Sequence, residues 1–223
     1  MKNLITTLVL FLIIYSVRAQ TYKTYLQIIE QKRLNFSTEL NTSTNKDSIL
    51  LEAGKFLEQE LVNKHFSYWK ETPWDFNGYT NIPQQGTIAC GYYVSTSLKH
   101  LGFNLNRYRM AQQSALSEIK TIDKDYQIFN TSGLEFISHA KSHLSDGLYI
   151  IGLSNHVGFL YINSNNVYFL HSGYVEPFGV CKEVAGESEV FNYSTVYVVG
   201  NISNNKELIK KWLLKKEITI VYD

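Results

Sequence analysis

Residues 156–171 constrain the fold more than any other stretch. His156-Val157-Gly158-Phe159-Leu160-Tyr161-Ile162 is dense in β-forming side chains, Asn163-Ser164-Asn165-Asn166 is a polar turn, and Val167-Tyr168-Phe169-Leu170-His171 returns. A two-residue turn at Ser164-Asn165, or a four-residue loop over 163–166, pairs Gly158 with His171 and Leu160 with Phe169. Because successive side chains of a strand alternate faces, His156 and Gly158 then point to one side. His171 lies diagonally across from His156 on that same face, reached through the gap left by a glycine. An odd register would send His171 to the opposite face.

The hairpin belongs to a β-rich half that opens after Gly147. Leu148–Leu153 and Ser194–Val199 read as further strands, and Ile218–Val221 as a closing one. Helical periodicity dominates before and around them: residues 48–64 behind Asp47 as a cap, 109–119, 134–143 and 206–215. Helices before and around an antiparallel sheet predict an α+β domain. The chain has 44% hydrophobic and 14% aromatic residues, enough for one well-filled core over about 200 residues.

Cys90 follows the glycine-bearing loop Gly86-Thr87-Ile88-Ala89 and precedes a helix-periodic run through Val94, Leu98 and Leu101, with Gly102 as its stop. In the first turn of a helix, unpaired N–H groups and the helix dipole favour a thiolate and can hold an oxyanion. A small buried cysteine at a helix start fits the segment equally well. Two histidines on one hairpin face tip the balance, since a nucleophile, a base and an orienting group are what thiol acyl transfer needs.

Residues 1–19 have the form of a secretory signal peptide: Lys2, an apolar run from Leu4 to Tyr15, and Val17-Arg18-Ala19 before a polar stretch. Cleavage there leaves an exported chain with no stable membrane anchor, since no later segment approaches about 18 unbroken apolar residues. Loss of Lys2 and Arg18 lowers the formal net charge of +1 by two, leaving it near neutral. Such a balance carries no electrostatic footprint for nucleic acid. The polar stretch 41–46 divides a helical arm, 20–65, from the main domain, 66–223.

In an exported protein Cys90 and Cys181 could pair as a disulfide. The six histidines lack Cys-x-x-Cys or His-Glu-x-x-His partners, so the sequence signals no metal and no other cofactor. His139 and His143, four apart, read as a solvated helix face.

Three blocks together resemble the NlpC family of papain-like cell-wall peptidases. Cys90-Gly91-Tyr92-Tyr93-Val94, Leu101-Gly102-Phe103-Asn104-Leu105-Asn106-Arg107 and Ala111-Gln112-Gln113-Ser114 are similar to its nucleophile helix, its A-G-I-x-L-P-R turn and its A-Q-Q segment. His156–Ile162 and Val167–Ser172 resemble its H-V-G-I-Y and I-H-A/S strands. The resemblance spans residues 68–172. It implies a papain-like fold, with the nucleophile helix packed on an antiparallel sheet, and a Cys-His-His triad cleaving amide bonds in peptidoglycan stem peptides or related peptides. Carried over, Cys90 is the nucleophile, His156 the general base and His171 the residue orienting it.

The resemblance also places oxyanion and substrate roles near Trp74, Tyr79 and Gly91, with Gln85 and Gln84 close to where papain keeps an oxyanion glutamine. Read without it, Trp74 is core and Gln84-Gln85 a polar loop. Ala89 stands where the family has an acid, and Gly91 where it has a small polar residue. Recognition of a free N-terminal amine, which that acid serves in relatives, thus lacks its usual group. Acyl transfer or deamidation on the same scaffold, and a secreted binding module without catalysis, are the alternative functions.

Overall fold

The computed structural model describes residues 20–164 and 166–223 of the 223-residue chain. The expected leader, residues 1–19, lies outside the described residues. Helix α1 (Lys2–Thr42), described from Gln20 onward, is followed by α2 (Lys46–Gln59). The latter continues through a π-helical turn, Glu60–His65, into α3 (Phe66–Trp69). Next come α4 (Cys90–His100), α5 (Arg107–Ala111), α6 (Ala115–Ile122), β1 (Gln127–Asn130) and α7 (Gly133–His143). The β-rich half holds β2 (Gly147–Leu153), β3 (His156–Asn163), β4 (Asn166–Gly173) and β5 (Gly179–Val184). After a 3-10 turn, Ala185–Glu187, the chain closes with α8 (Glu189–Asn192), β6 (Val196–Asn201) and α9 (Lys206–Leu213). Among these residues no helix is long and apolar enough to cross a membrane.

The six strands form one antiparallel sheet in the order β1-β6-β2-β3-β4-β5. The fold is α+β, as the sequence pattern predicts. Central strand β2 is buried along its whole length, which explains its unbroken apolar run Leu148-Tyr149-Ile150-Ile151. The β3–β4 hairpin takes the expected register: Leu160 pairs with Phe169, Phe159 with Leu170, and Asn163 with Asn166 at the tip. Ser164 reaches the left-handed region there, φ +55°.

Each face of the sheet has its own core. On one side Val157, Phe159 and Leu170 pack beneath α4, where Tyr93 meets Phe159 edge to face with centroids 5.9 Å apart. On the other, Leu160, Ile162, Val167 and Phe169 pack with Phe136 of α7, Phe191 of α8 and Tyr197. Strand periodicity puts His156 and His171 on the second side, at the open end of the hairpin.

Several sequence expectations need correction. Residues 109–119 are not one helix: α5 ends at Ala111, and Ser114 starts α6 by accepting the Ser117 N–H. The cap of α2 is Asn45 rather than Asp47; its side chain accepts the Ser48 N–H. Ile218–Val221 is not a strand. This extended tail buries Ile218 and Ile220, with one backbone bridge between Asn104 and Glu217 and the Val221 N–H on Thr121 Oγ1. Edge strands β1 and β5 have no counterpart in the sequence reading.

Residues 20–65, expected as an arm, pack into the same core as α4. Tyr22, Tyr25 and Ile29 are buried, and the Tyr22 hydroxyl accepts the Trp69 indole N–H at 2.8 Å. The buried Arg33 guanidinium bonds Glu30 and the Leu213 carbonyl, tying α1 to α9.

Candidate functional site

Residues 73–89 form a looped segment that delivers Cys90 to the sheet. The Ile88 N–H donates to Pro73 O and the Ala89 N–H to Gly78 O, both within 2.9 Å. Ser172 Oγ of β4 donates to Ile88 O at 2.7 Å, fixing the start of α4 against the hairpin. Arg107 holds the loop from the other side, donating to Tyr79 O and to Thr96 Oγ1 while lying over the Tyr92 and Tyr108 rings. Ala89 is extended and offers no side-chain cap, so the first-turn N–H groups of α4 keep their donor capacity for a ligand.

Cys90 opens into a cleft of about 280 Å³ lined with Gly91, Ser114, Glu118, Leu153 and His156. Burial pushes its thiol up to about 11, with the nearby Glu118 carboxylate adding to the rise and the Val157, Gly91 and Cys90 N–H groups opposing it. The resting state is therefore a protonated thiol. Glu118 itself is buried, has one oxygen, Oε2, without a partner, and is held well above the ordinary carboxylate range by desolvation. Gly91 has no room for a side chain, since a Cβ there would stand 2.6 Å from Glu118 Oε1 and 3.1 Å from Ala111 O.

The two histidines meet. His156 Nε2 and His171 Nδ1 are 2.9 Å apart, and His171 Nε2 is 2.6 Å from Glu183 Oε2. A carboxylate can only accept, so His171 donates its Nε2–H to Glu183. Burial lowers the His171 value, a shift that Glu183 opposes without cancelling. A neutral His171 thus accepts at Nδ1 from the Nε2–H of His156, leaving His156 Nδ1 as a free lone pair. That nitrogen is buried and has no hydrogen-bond partner. Desolvation, then His171, holds His156 well below the ordinary imidazole range. Its ring is packed by Phe169, 5.9 Å between centroids, and Tyr174, 5.4 Å.

Cys90 and His156 share the cleft, yet among the described residues no hydrogen bond joins them. The Cys–His contact present is a different one: Cys181 Sγ lies 3.3 Å from His171 Nε2, because His171 and Cys181 are cross-strand partners in β4 and β5. Glu183, two residues along on the same face, also accepts from Ser188 Oγ at 2.9 Å and lies 3.8 Å from Cys181 Sγ. Burial raises Glu183, but its bonds to His171, Ser188 and Cys181 outweigh this and leave it below the usual value. His171 Nε2, Cys181 Sγ and Glu183 Oε2 lie within 4.8 Å of one another and could hold a metal ion. Both cysteines are free thiols, so the Cys90–Cys181 disulfide is not formed.

The remaining sequence candidates fall outside the cleft. Trp74 packs on Tyr174, 5.8 Å between centroids, and touches the His156 neighbourhood only through that ring. Tyr79 is exposed and leans on Tyr92. Gln84 Nε2 donates to Lys70 O, and the Gln85 N–H to Ile82 O, which holds both in the loop before the helix. None of these four lines the cavity with Cys90. His139 and His143 stack on each other at 4.4 Å on α7, away from the other groups.

Glu118, Cys181 and Glu183 escaped the sequence reading. A lone acid on a helix, and a Cys-Lys-Glu run with no strand signal, look like solvated positions. Pairing of β4 with β5 is what gathers the second cluster. Comparison with protein-family models, with curated proteins and with solved structures gives no match to this chain.

Proposed function

We propose that this protein is an exported thiol hydrolase of papain-like, NlpC-type architecture that cleaves amide bonds in peptidoglycan stem peptides or related peptides. Cys90 is the nucleophile, His156 the base, and His171 with Glu183 the relay that sets the tautomer of His156. The observation carrying this reading is the His156 ring: bonded through Nε2 alone, it keeps an unshared pair on Nδ1 and lines the same cleft as Cys90.

The chemistry follows from those groups. His156 Nδ1 takes the Cys90 proton once substrate brings sulfur and ring together, a bond that apo structures commonly hold too long. The sulfur attacks the amide carbonyl, and the first-turn N–H groups of α4 receive the oxyanion. His156 returns the proton to the leaving amine, and water releases the acyl group. A thiol pushed up to about 11 needs this base, because it carries almost no thiolate at neutral pH.

One observation favours a second reading, a binding module without catalysis: burial and Glu118 both disfavour the Cys90 thiolate. Mass spectrometry of peptidoglycan fragments and a peptide library after incubation with wild type and Cys90→Ala separates the two. New amine and carboxyl ends with wild type alone support the hydrolase, amide transfer to an added amine identifies an acyltransferase, and intact fragments with bound substrate support the module.

A further inference from the structure

The cluster on β4 and β5 has a chemistry of its own. Cys181 Sγ, His171 Nε2 and Glu183 Oε2 are separated by 3.3, 2.6 and 3.8 Å around the triangle, and Cys181 and His171 are buried. A thiolate, an imidazole and a carboxylate are the ligands of zinc-type sites. Tetrahedral coordination at ordinary zinc bond lengths separates such atoms by about 3.3–3.6 Å. Two edges of the triangle are therefore already within a few tenths of an ångström. Only the His171–Glu183 edge must open, by about 0.7 Å. The supports of such a site are present too: His171 is oriented through Nδ1 by His156, and Glu183 through Ser188.

We propose that Cys181, His171 and Glu183 form a binding site for a divalent cation of zinc type, and that its loading switches off the base at His156. The first part stands on the cluster alone; the second rests on the hydrolase reading above. Without the ion, His171 carries its proton on Nε2 and donates to Glu183, and His156 donates its Nε2–H to His171. With the ion on His171 Nε2, that proton must sit on Nδ1 instead, where it donates to His156 Nε2. His156 then carries its own proton on Nδ1, the atom that would have received the proton of Cys90. Each ring holds one proton before and after. Cys181 loses its thiol proton to solvent, so one proton is released per ion. The ion's two positive charges are balanced by the Cys181 thiolate and the Glu183 carboxylate.

Cobalt(II) titration of the full chain tests the site, because a thiolate-to-cobalt charge-transfer band reports a Co–S bond directly. One equivalent should produce the band in wild type and in Cys90→Ala, whereas Cys181→Ser, which keeps the side-chain shape, should not show it. Affinity should fall by more than the about 10–100-fold that an outer-shell change costs. A band that persists in Cys181→Ser, or that disappears in Cys90→Ala, overturns the site, as does failure of wild type to bind. The switch is tested by zinc inhibition of hydrolysis: wild type should be inhibited and Cys181→Ser should keep full, zinc-insensitive activity. Inhibition that survives in Cys181→Ser overturns the switch. If the chain hydrolyses nothing, the cobalt arm still decides the site.

Discussion

Replacing Gly158 by alanine probes the geometry that puts two histidines in contact. A Cβ there would stand 2.6 Å from Phe169 Cε2, 2.8 Å from the Leu170 carbonyl oxygen and 3.0 Å from His171 Cβ. Phe169 has little freedom to turn, being fully buried with His171 stacked on it at 4.2 Å. The carbonyl cannot retreat without opening the β3–β4 ladder. Overpacking of this kind costs about 1–3 kcal/mol, and a backbone obstacle puts the variant at the upper end. In a chain of this length each kcal/mol moves Tm by about 2–4 °C, so a loss of roughly 4–12 °C is expected. Gly186→Ala is the control, since its nearest atom, Ile137 Cδ1, is at 3.6 Å, an ordinary contact; its change should stay within about 0.5 kcal/mol. Thermal unfolding by circular dichroism measures both. Activity should fall further than stability in Gly158→Ala, because a misplacement of about 1 Å at a catalytic group costs about 10²-fold. A Gly158→Ala protein with wild-type Tm and rate would refute the packing argument.

Three further outcomes follow from the buried polar groups. His65 is fully buried with both ring nitrogens unpartnered, and desolvation then His100 holds it well below 6.5. The unfolded chain takes up a proton near that value while the folded chain does not, so stability falls as pH drops below 6.5; His65→Phe should flatten this acid limb and raise Tm, seen in melts across pH. Glu118→Gln removes a charge that opposes the Cys90 thiolate, and should move the alkylation midpoint of Cys90 from about 11 toward 9.0. Glu183→Gln leaves His171 in place without a carboxylate acceptor, and should cost part of the about 10²–10⁴-fold that a positioned base contributes, read as kcat at unchanged KM.

The hairpin was legible because a two-residue turn and a strict period of two leave one register that buries Leu160 and Phe169 together. The start of α4 was legible because Gly86 and Gly102 bracket an apolar period that the structure buries as Val94 and Leu98. Edge strand β5 was not, since Cys181-Lys182-Glu183 carries polar side chains on both faces and gains its order from pairing with β4. The tail at 218–221 has the alternation of a strand, but its buried isoleucines pack on helices rather than pairing in the sheet. The cleft partner Glu118 was hidden for a similar reason: only the packing of α6 against α4 shows that it faces Cys90 and not water.

Hydrolysis of purified peptidoglycan fragments, followed by mass spectrometry for wild type, Cys90→Ala and His156→Ala, tests the central claim most directly. The account predicts that wild type releases products with new amine ends, that both variants lose at least about 10³-fold in rate while remaining folded, and that an acyl adduct, when trapped, sits on Cys90. Full hydrolysis by Cys90→Ala, or an adduct found on Cys181 instead, would contradict it.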